Sequence, residues 1–274
     1  MTTVLNAEAP ATGVTECSPE EWKLRVELAA CYRVFAYLGW IEMIFNHITI
    51  RVPGPEHHFL INPFGLHYSE VTPQNLVKID LNGKIVGHSD YPVNPAGFVI
   101  HSALHANVPD ALCIMHTHTT AGLAVASSKR GLVPTNFYSA TLMSDIAYHD
   151  FEGPSVHDDE KARLVADLGD KHAMILRNHG LLVAGPTIPD TFELMFRLDR
   201  ACEIQVATEQ IDEGILISDE ICKTAASRIL NNKRPTPPVQ AAVAGKTAQI
   251  FFTAMARQAE KKRLAAGLPP NGSF

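Results

Sequence analysis

The pattern of apolar and polar positions predicts a chain that mixes helices and strands. Apolar residues at helical spacing predict helices beginning near residues 18, 96, 119, 158, 188 and 219. Short apolar runs predict strands at about 45–52, 59–61, 77–81, 84–86, 111–116, 173–176 and 181–184. Asn82-Gly83 predicts a hairpin turn between two of these strands. The stretch that contains Tyr138 and Tyr148 is predicted to be irregular.

This mixture predicts an α/β fold with a single domain, in which a mostly antiparallel central sheet lies between layers of helices. The domain is expected to span residues 18–230. Residues 1–17 are small and polar, which predicts a flexible leader. Residues 231–274 are predicted to form a proline-containing linker and a helical tail from about 250 to 265, whose apolar edge at Phe251 and Phe252 is suited to contacts between copies.

Charge and cysteine content limit the classes of function. The chain has 274 residues, with 23 Lys and Arg against 29 Asp and Glu, and it has no basic cluster. We therefore expect no nucleic-acid partner. The chain contains no run of eighteen apolar residues, so no membrane span is predicted, and the first residues lack the pattern of a signal peptide. The five cysteines contain no Cys-x-x-Cys pair, which favours a reducing compartment and a cytoplasmic location.

The chain is rich in histidine, with thirteen residues, and two of them form a chelating pattern. His116 and His118 follow a buried strand, and side chains two residues apart in an extended segment lie on the same side. Such a pair can bind one divalent ion but needs a third ligand from elsewhere in the fold. His179 is the best candidate, because it lies in a glycine-containing turn between two apolar strands.

Other histidines have competing interpretations. His101 and His105 lie four residues apart on one helical face, so they could form a second metal pair or add a ligand near Gly97. Packing and hydrogen bonding within the helix layer is the favoured interpretation. His47 and His149 lie in or beside strand ends and are expected at the surface or next to the site, rather than among the ligands.

Four segments between about Cys31 and Glu209 form a distinctive set. They are Phe45 to Arg51, the loop from Ile61 to Gly65, His116-Thr117-His118 and Asn178-His179-Gly180. Together these segments resemble the class II aldolase and adducin domain family. The resemblance implies that His116, His118 and His179 hold a divalent metal ion, most simply zinc, with iron or manganese as alternatives. It also implies a homo-oligomer, usually a tetramer, with active sites at subunit interfaces.

The sequence departs from the active aldolases of this family at the substrate site. The catalytic carboxylate that they place nineteen residues before the first histidine corresponds to Gly97. Their phosphate-binding serines correspond to Pro95 and Ala96, and a phosphate-loop threonine corresponds to Asn62. These replacements disfavour a sugar phosphate and favour a small carboxylate-type substrate.

The remaining candidates for substrate binding are Asn46, Asn62 and the backbone amides near Gly65. By family position, Tyr138 and Tyr148 are the candidate proton donors. The sequence thus predicts a metal-dependent lyase that cleaves a carbon–carbon bond of a small hydroxy or keto acid, by aldol cleavage or decarboxylation, through a metal-stabilised enediolate. Decarboxylation needs less proton removal, so it tolerates the missing carboxylate better.

Two alternatives stay open at this stage. Iron in the same three-histidine site could activate oxygen for oxidative decarboxylation. The second alternative is a non-catalytic domain used for binding or assembly, as in adducin. It ranks last because the three candidate metal ligands are present. The balance favours an enzyme.

Overall fold

The computed structural model describes residues 17–153, 158–230 and 246–268. Nearly all of the predicted leader and the linker segment 231–245 lie outside these ranges. The helices are α1 Pro19–Leu38, α2 Pro95–Asn107, α3 Thr120–Ser127, α4 Phe137–Leu142, α5 Asp158–Leu168, α6 Ile188–Glu209, α7 Asp219–Leu230 and α8 Thr247–Ala265. The strands are β1 His47–Arg51, β2 Phe59–Ile61, β3 Val77–Ile79, β4 Cys113–Thr117, β5 Ile146–His149, β6 Ala173–Leu176 and β7 Gly180–Gly185.

The strands form a seven-stranded sheet in the order β3-β2-β1-β4-β7-β6-β5. Its neighbouring strands pair antiparallel except for β5 and β6, which are parallel. One face packs against α1, α3, α6 and α8, and the other packs against α2 and α5. The predicted α/β fold with a mostly antiparallel sheet between helix layers is therefore confirmed.

The first helix shows how local sequence sets an element's limits. The Ser18 hydroxyl accepts a hydrogen bond from the Glu21 N–H at 3.1 Å, and Pro19 occupies the first turn. Gly39 ends the helix in the left-handed region, at φ +82°. Tyr32 and Phe35 on its inner face are fully buried. The predicted helix from Ser18 to Gly39 is confirmed at both ends.

Two elements lie where the sequence predicted irregular structure, so that prediction was wrong. The six residues of α4 begin at Asn136, whose side chain accepts a hydrogen bond from the Ser139 N–H. β5 is an edge strand that pairs with β6 alone. Both elements are too short for a clear periodic signal, and their stability depends on tertiary contacts. At the predicted hairpin the chain does turn back: Ile79 and Ile85 form an antiparallel bridge, and the Val86 N–H donates to the Lys78 carbonyl oxygen at 2.8 Å. Its second arm is too short to count as a strand of the sheet.

The C-terminal helix α8 packs into the same core as the rest of the domain. Phe252 is fully buried, and its ring centroid lies 5.7 Å from that of Phe192 in α6. The Arg33 side chain of α1 pairs with Glu260 at 3.5 Å. Phe251, by contrast, is 49% exposed. The described part of the predicted tail is thus a helix whose one side completes the core.

Strand register brings several strand ends to one edge of the sheet. His47 at the start of β1 pairs with His116 near the end of β4, and Thr117 pairs with Leu181 at the start of β7. β6 ends at the same edge, as does β2, which runs antiparallel to β1. We refer to this edge as the histidine edge. None of the described helices is both long enough and apolar enough to cross a membrane.

Candidate metal centre

His116 and His118 lie together at the histidine edge, as alternation predicted. His116 is buried in β4, and its Nδ1 lies 2.9 Å from the Leu181 carbonyl oxygen. Because a carbonyl oxygen can only accept, Nδ1 donates and Nε2 of the neutral ring keeps its lone pair. That Nε2 lies 2.7 Å from Nε2 of the half-buried His118. The strand thus places the lone pair of His116 Nε2 in the space between the two rings.

His179 reaches the same space from the turn between β6 and β7. Asn178 adopts the left-handed conformation at φ +58°, and its N–H donates to the Ala126 carbonyl oxygen at 3.2 Å. The His179 N–H donates to the Leu176 carbonyl oxygen at 3.0 Å. The turn places the His179 ring centroid 4.8 Å from that of His116 and 5.0 Å from that of His118. Anchored backbone therefore holds the third ring.

Gly180 permits the close approach of the two segments that carry these rings. A Cβ atom at this position would lie 2.4 Å from the Thr117 carbonyl oxygen and 3.0 Å from Cδ2 of His118. Both distances are shorter than van der Waals contact, and the first neighbour is backbone, which cannot rotate aside. The glycine in Asn178-His179-Gly180 is thus required by space at the cluster.

The electrostatics of His116, His118 and His179, the three-histidine cluster, favour neutral rings. Burial, followed by the neighbouring His179 and His118, holds the pKa of His116 well below its ordinary value. Burial also lowers the pKa of His118. Burial, then His118 and His149, lowers the pKa of His179 to about 4. At neutral pH each of the three rings is therefore neutral and has one nitrogen with a lone pair.

The donor set fits a divalent metal ion. One ligand atom from each histidine lies within 4.8 Å of the other two, and in the described ranges no other group of His, Cys, Asp and Glu converges in this way. Neutral imidazole nitrogen is a preferred ligand of zinc, iron and related ions, and three protein ligands leave coordination positions open. The cluster can therefore hold a metal ion and leave coordination positions open for another bound molecule.

Asn46, a candidate for substrate binding, lies beside the cluster and bonds within the protein. It is fully buried, and its side-chain oxygen accepts a hydrogen bond from the His118 N–H at 2.9 Å. Its side-chain nitrogen donates to the Trp40 carbonyl oxygen at 3.1 Å. These bonds fix the backbone that carries His118, so Asn46 positions a ligand of the cluster.

Asn62 and Gly65 lie in the loop after β2, at the histidine edge. Asn62 is buried, and its N–H donates to the Tyr32 hydroxyl at 3.3 Å. The same hydroxyl lies 2.9 Å from the Asn62 side-chain oxygen. Gly65 adopts φ +107°, and within the described ranges its N–H donates to no protein group. A backbone donor is thus available at Gly65, whereas the Asn62 side chain contacts the core.

The two candidate proton donors lie outside direct contact with the cluster. Tyr138 lies in α4, where its ring contacts Phe137 and Phe196. Tyr148 lies in β5, and its hydroxyl accepts a hydrogen bond from the Leu132 N–H at 3.1 Å. In the described part of the chain, neither tyrosine makes a hydrogen bond or a ring contact with the three histidines. A single copy of the chain does not bring them to the cluster.

His101 and His105 join a buried hydrogen-bonded set rather than the cluster. His47 Nδ1 lies 2.8 Å from His101 Nε2, and His101 Nδ1 lies 2.7 Å from the Thr49 hydroxyl. The hydroxyl lies 2.6 Å from His105 Nε2, and His105 Nδ1 lies 2.7 Å from the Ala111 carbonyl oxygen. We call these four side chains the buried histidine chain. The packing interpretation of His101 and His105 agrees with this geometry.

Of the two places expected for His47 and His149, at the surface or next to the site, the structure excludes the surface. His47 is only 5% exposed, and His149 is only 4% exposed. His149 Nδ1 lies 2.7 Å from an Asp167 carboxylate oxygen on α5. For His47 a sequence signal existed, because it alternates with Thr49 on the face of β1 opposite Ile48. Its meaning depended on α2 covering that face, which periodicity alone does not reveal.

The chain resembles proteins of known family over most of its length. A family model described as "Class II Aldolase and Adducin N-terminal domain" matches residues 26–206. A Pseudomonas aeruginosa protein named as a candidate class 2 aldolase is 50% identical over 200 residues, covering 73% of this chain and 77% of that protein. Alpha-adducin of Mus musculus is 49% identical over 188 residues, covering 68% of this chain but only 25% of the adducin.

Solved structures show the same relationship in three dimensions. An aldolase II superfamily protein from Pseudomonas syringae has a TM-score of 0.80 and 39% identity, covering 90% of this chain and 95% of that chain. An L-fuculose 1-phosphate aldolase from Glaciozyma antarctica has a TM-score of 0.74 and 27% identity, covering 95% and 96% of the two chains. The similarity therefore includes the fold and the sequence together.

Proposed function

Because the chain belongs to the class II aldolase and adducin N-terminal domain family, we propose that it is a metal-dependent lyase that cleaves a carbon–carbon bond in a small hydroxy or keto acid. The observation that carries the proposal is the convergence of His116, His118 and His179 within 4.8 Å. When bound, a divalent ion, most simply zinc with iron or manganese as alternatives, supplies Lewis-acid polarisation of substrate oxygens.

The protein's own groups hold the ligands and the substrate. The Leu181 carbonyl oxygen orients the ring of His116, and the Asn46 side chain fixes the backbone of His118. The Gly65 N–H and its loop are proposed to bind the substrate carboxylate, with Asn46 and Asn62 shaping that end of the site. These groups give the substrate a defined orientation at the histidine edge.

The absence of a carboxylate at Gly97 bears on the type of bond cleavage. Gly97 lies in the first turn of α2, a helix whose His101 borders the site through His47. Aldol cleavage needs a base that removes a hydroxyl proton, whereas decarboxylation needs proton delivery after the bond breaks. Decarboxylation is therefore the favoured member of the proposed pair of reactions.

Tyr138 and Tyr148 are the proposed proton donors, and Tyr138 is favoured. The Tyr148 hydroxyl accepts the Leu132 N–H, and the Arg177 guanidinium lies 4.2 Å from the centre of its ring. Neither tyrosine contacts the cluster of its own copy, so the proposal includes a homo-oligomer, a tetramer by family resemblance, in which a neighbouring copy completes the site. The side chain of Phe137, next to Tyr138, is 66% exposed and suits such a contact.

A second candidate function rests on the similarity to alpha-adducin. At 49% identity over 188 residues, this relative is about as similar as the bacterial one. A non-catalytic binding or assembly domain is therefore retained as the alternative. Oxidative decarboxylation by an iron form of the same site is the other alternative, and oxygen consumption with a keto acid separates it from the lyase.

A cytoplasmic location is also proposed. The five cysteines are all free, and three of them, Cys31, Cys113 and Cys202, are fully buried. Unpaired thiols are the usual state in a reducing compartment.

The test is the metal content of protein purified without chelator or affinity metal. Wild-type protein is expected to hold a divalent metal near one equivalent, and His179→Ala is expected to lose it. His172→Ala, at the opposite edge of the sheet, is the matched control and should retain it. A metal-loaded wild type is then screened with small hydroxy and keto acids for release of aldehyde or carbon dioxide. Wild-type protein that binds no zinc, iron or manganese would favour the assembly function.

A further inference from the structure

The buried histidine chain has a direction that its hydrogen bonds determine. At one end, His105 Nδ1 faces the Ala111 carbonyl oxygen, which can only accept, so Nδ1 carries the proton. In a neutral ring His105 Nε2 then accepts, and the Thr49 hydroxyl must donate to it. The hydroxyl has a single proton, so it can only accept from His101 Nδ1. The carbonyl at one end thus fixes the proton positions of two histidines.

The same direction extends to His47. Since His101 Nδ1 carries the proton of its neutral ring, His101 Nε2 is an acceptor, and His47 Nδ1 must donate to it. All three rings are buried, and no carboxylate forms an ion pair with them among the described residues. Neutral rings are expected in such surroundings. His47 Nε2 is therefore left with a lone pair and no proton.

His47 Nε2 is the one ring nitrogen of the buried histidine chain that lacks a protein partner among the described residues. The same atom is not fully shielded from solvent. The ring lies 5.1 Å from that of His116, its cross-strand partner, so both side chains share one face of the sheet. An acceptor on a rigid ring thus borders the three-histidine cluster.

We propose that His47 is a specificity-determining residue of this site, whose unprotonated Nε2 accepts a hydrogen bond from a free hydroxyl of the substrate. This inference rests on the proposed function, because the substrate is the acid held at the three-histidine cluster. A lone pair at this position repels phosphate or carboxylate oxygens and attracts a hydroxyl. The substrate class is thereby narrowed to acids that carry a hydroxyl beyond the chelating groups.

Nitrogen NMR of the histidine rings tests the proton positions directly. Wild-type protein with ¹⁵N-labelled histidine is expected to show His47, His101 and His105 protonated at Nδ1 only. Thr49→Val removes the hydroxyl that orders the chain, and His101 can then donate through Nε2, which moves the His47 proton to Nε2. Thr49→Ser keeps a hydroxyl and should restore the wild-type pattern. A wild-type His47 protonated at Nε2, or a Thr49→Val spectrum unchanged at His47, overturns the inference.

Ligand binding to the cobalt-loaded protein tests the specificity. Glycerate and lactate chelate through the same carboxylate and 2-hydroxyl, and glycerate adds one hydroxyl. From the shift in the cobalt absorption spectrum, glycerate is expected to bind wild type about tenfold more tightly than lactate. His47→Asn keeps a donor near His101 but lacks the Nε2 acceptor, so the ratio should fall to about one. His172→Asn is the control and should keep the wild-type ratio.

The outcomes separate this inference from the proposed function. Failure of wild-type protein to bind cobalt contradicts the metal site itself. Cobalt binding in both wild type and His47→Asn, with equal ratios for the two acids, contradicts only the role of His47. Cobalt binding in both with a ratio that falls only in His47→Asn supports it.

Discussion

The three-histidine cluster and the buried histidine chain lie side by side and use the same residue type in opposite ways. In the buried histidine chain, every ring nitrogen except His47 Nε2 has a hydrogen-bond partner. In the cluster, His116 Nε2 and His118 Nε2 face each other at 2.7 Å with no carbonyl, hydroxyl or carboxylate between them. Both regions contain neutral rings, so charge does not distinguish them.

The difference lies in the kind of group that faces each lone pair. Burial alone does not explain the difference, because His116 of the cluster is as buried as His101, although His118 and His179 are half-buried. In the cluster, His116 Nε2 faces only another imidazole, which can give up its proton and become a ligand itself. In the buried histidine chain, Thr49 and the Ala111 carbonyl oxygen fix which nitrogen of each ring carries the proton. The hydrogen-bond partners of each nitrogen, rather than the spacing of the histidines, thus indicate which set binds metal.

Acidification of the metal-free protein is expected to give the largest change in stability. Burial lowers the pKa of His47 and of His105 to about 3, and that of His101 also falls well below its ordinary value. Each ring stays neutral when folded but gains a proton near pH 6.5 when unfolded, so stability is full above pH 6.5 and is lost as the pH falls toward 3. Between pH 7 and pH 5 we expect a loss of about 2 kcal/mol for each such histidine.

Urea denaturation in the presence of a chelator measures this loss. The slope of the unfolding free energy against pH gives the number of protons taken up on unfolding. A flat profile between pH 7 and pH 5 would contradict the assignment of the buried histidine chain as neutral.

Breaking the buried histidine chain at His105, where it ends on the Ala111 carbonyl oxygen, is expected to lower the free energy of unfolding by about 3 kcal/mol. His105→Leu leaves the Ala111 carbonyl oxygen without its donor and the Thr49 hydroxyl without its acceptor. Metal content should stay at the wild-type level, because His105 is not a ligand. Denaturation and elemental analysis of the same preparation give both quantities, and loss of metal from a folded variant would remove the distinction between the two regions.

Adding one methyl group beside the cluster is expected to lower the free energy of unfolding by about 2 kcal/mol and to weaken metal binding. In Gly180→Ala the new Cβ meets the Thr117 carbonyl oxygen at 2.4 Å, so β4 and β7 must separate and the rings move apart. Gly87→Ala is the control, since Gly87 has a positive φ but no atom within 4 Å of the added Cβ. It should keep its metal in a competition titration with a chromogenic chelator. Equal metal affinity in both variants would show that the approach of the strands is unimportant.

The two tyrosines are expected to give the smallest change in stability. Tyr148→Phe removes the acceptor of the Leu132 N–H and should cost about 1 kcal/mol while turnover persists. Tyr138→Phe should change stability by less than about 0.5 kcal/mol and reduce turnover. Comparing thermal unfolding with kcat for both variants assigns the proton donor. Lost turnover in Tyr148→Phe alone would reverse the preference for Tyr138.

Sequence patterns predicted those parts of the structure that depend on local spacing. Alternation along β4 placed His116 and His118 on one side, and the turn between two apolar runs placed His179 at a strand start. The long helices were predicted because their periodic patterns and caps lie within each segment. Whether a metal occupies the cluster stays a prediction.

Features that depend on contacts between distant segments could not be predicted in the same way. The side chain of Asn46 contacts the backbone of His118, 72 residues away. His47 acquires its role only because α2 places His101 against β1. Neither contact leaves a local pattern, since the partner's position depends on the register of the whole sheet.

The C-terminal helix has a consequence for the order in which the domain closes. During synthesis α1 and α6 leave the ribosome before α8 exists, so the apolar surface that Phe252 covers in the finished protein faces water on the nascent chain. The histidine edge depends on strands and loops that are made earlier, between His47 and Gly185. The three histidines of the cluster are thus synthesised before α8 can cover this part of the core. Burial of the core is complete only when α8 packs against α1 and α6.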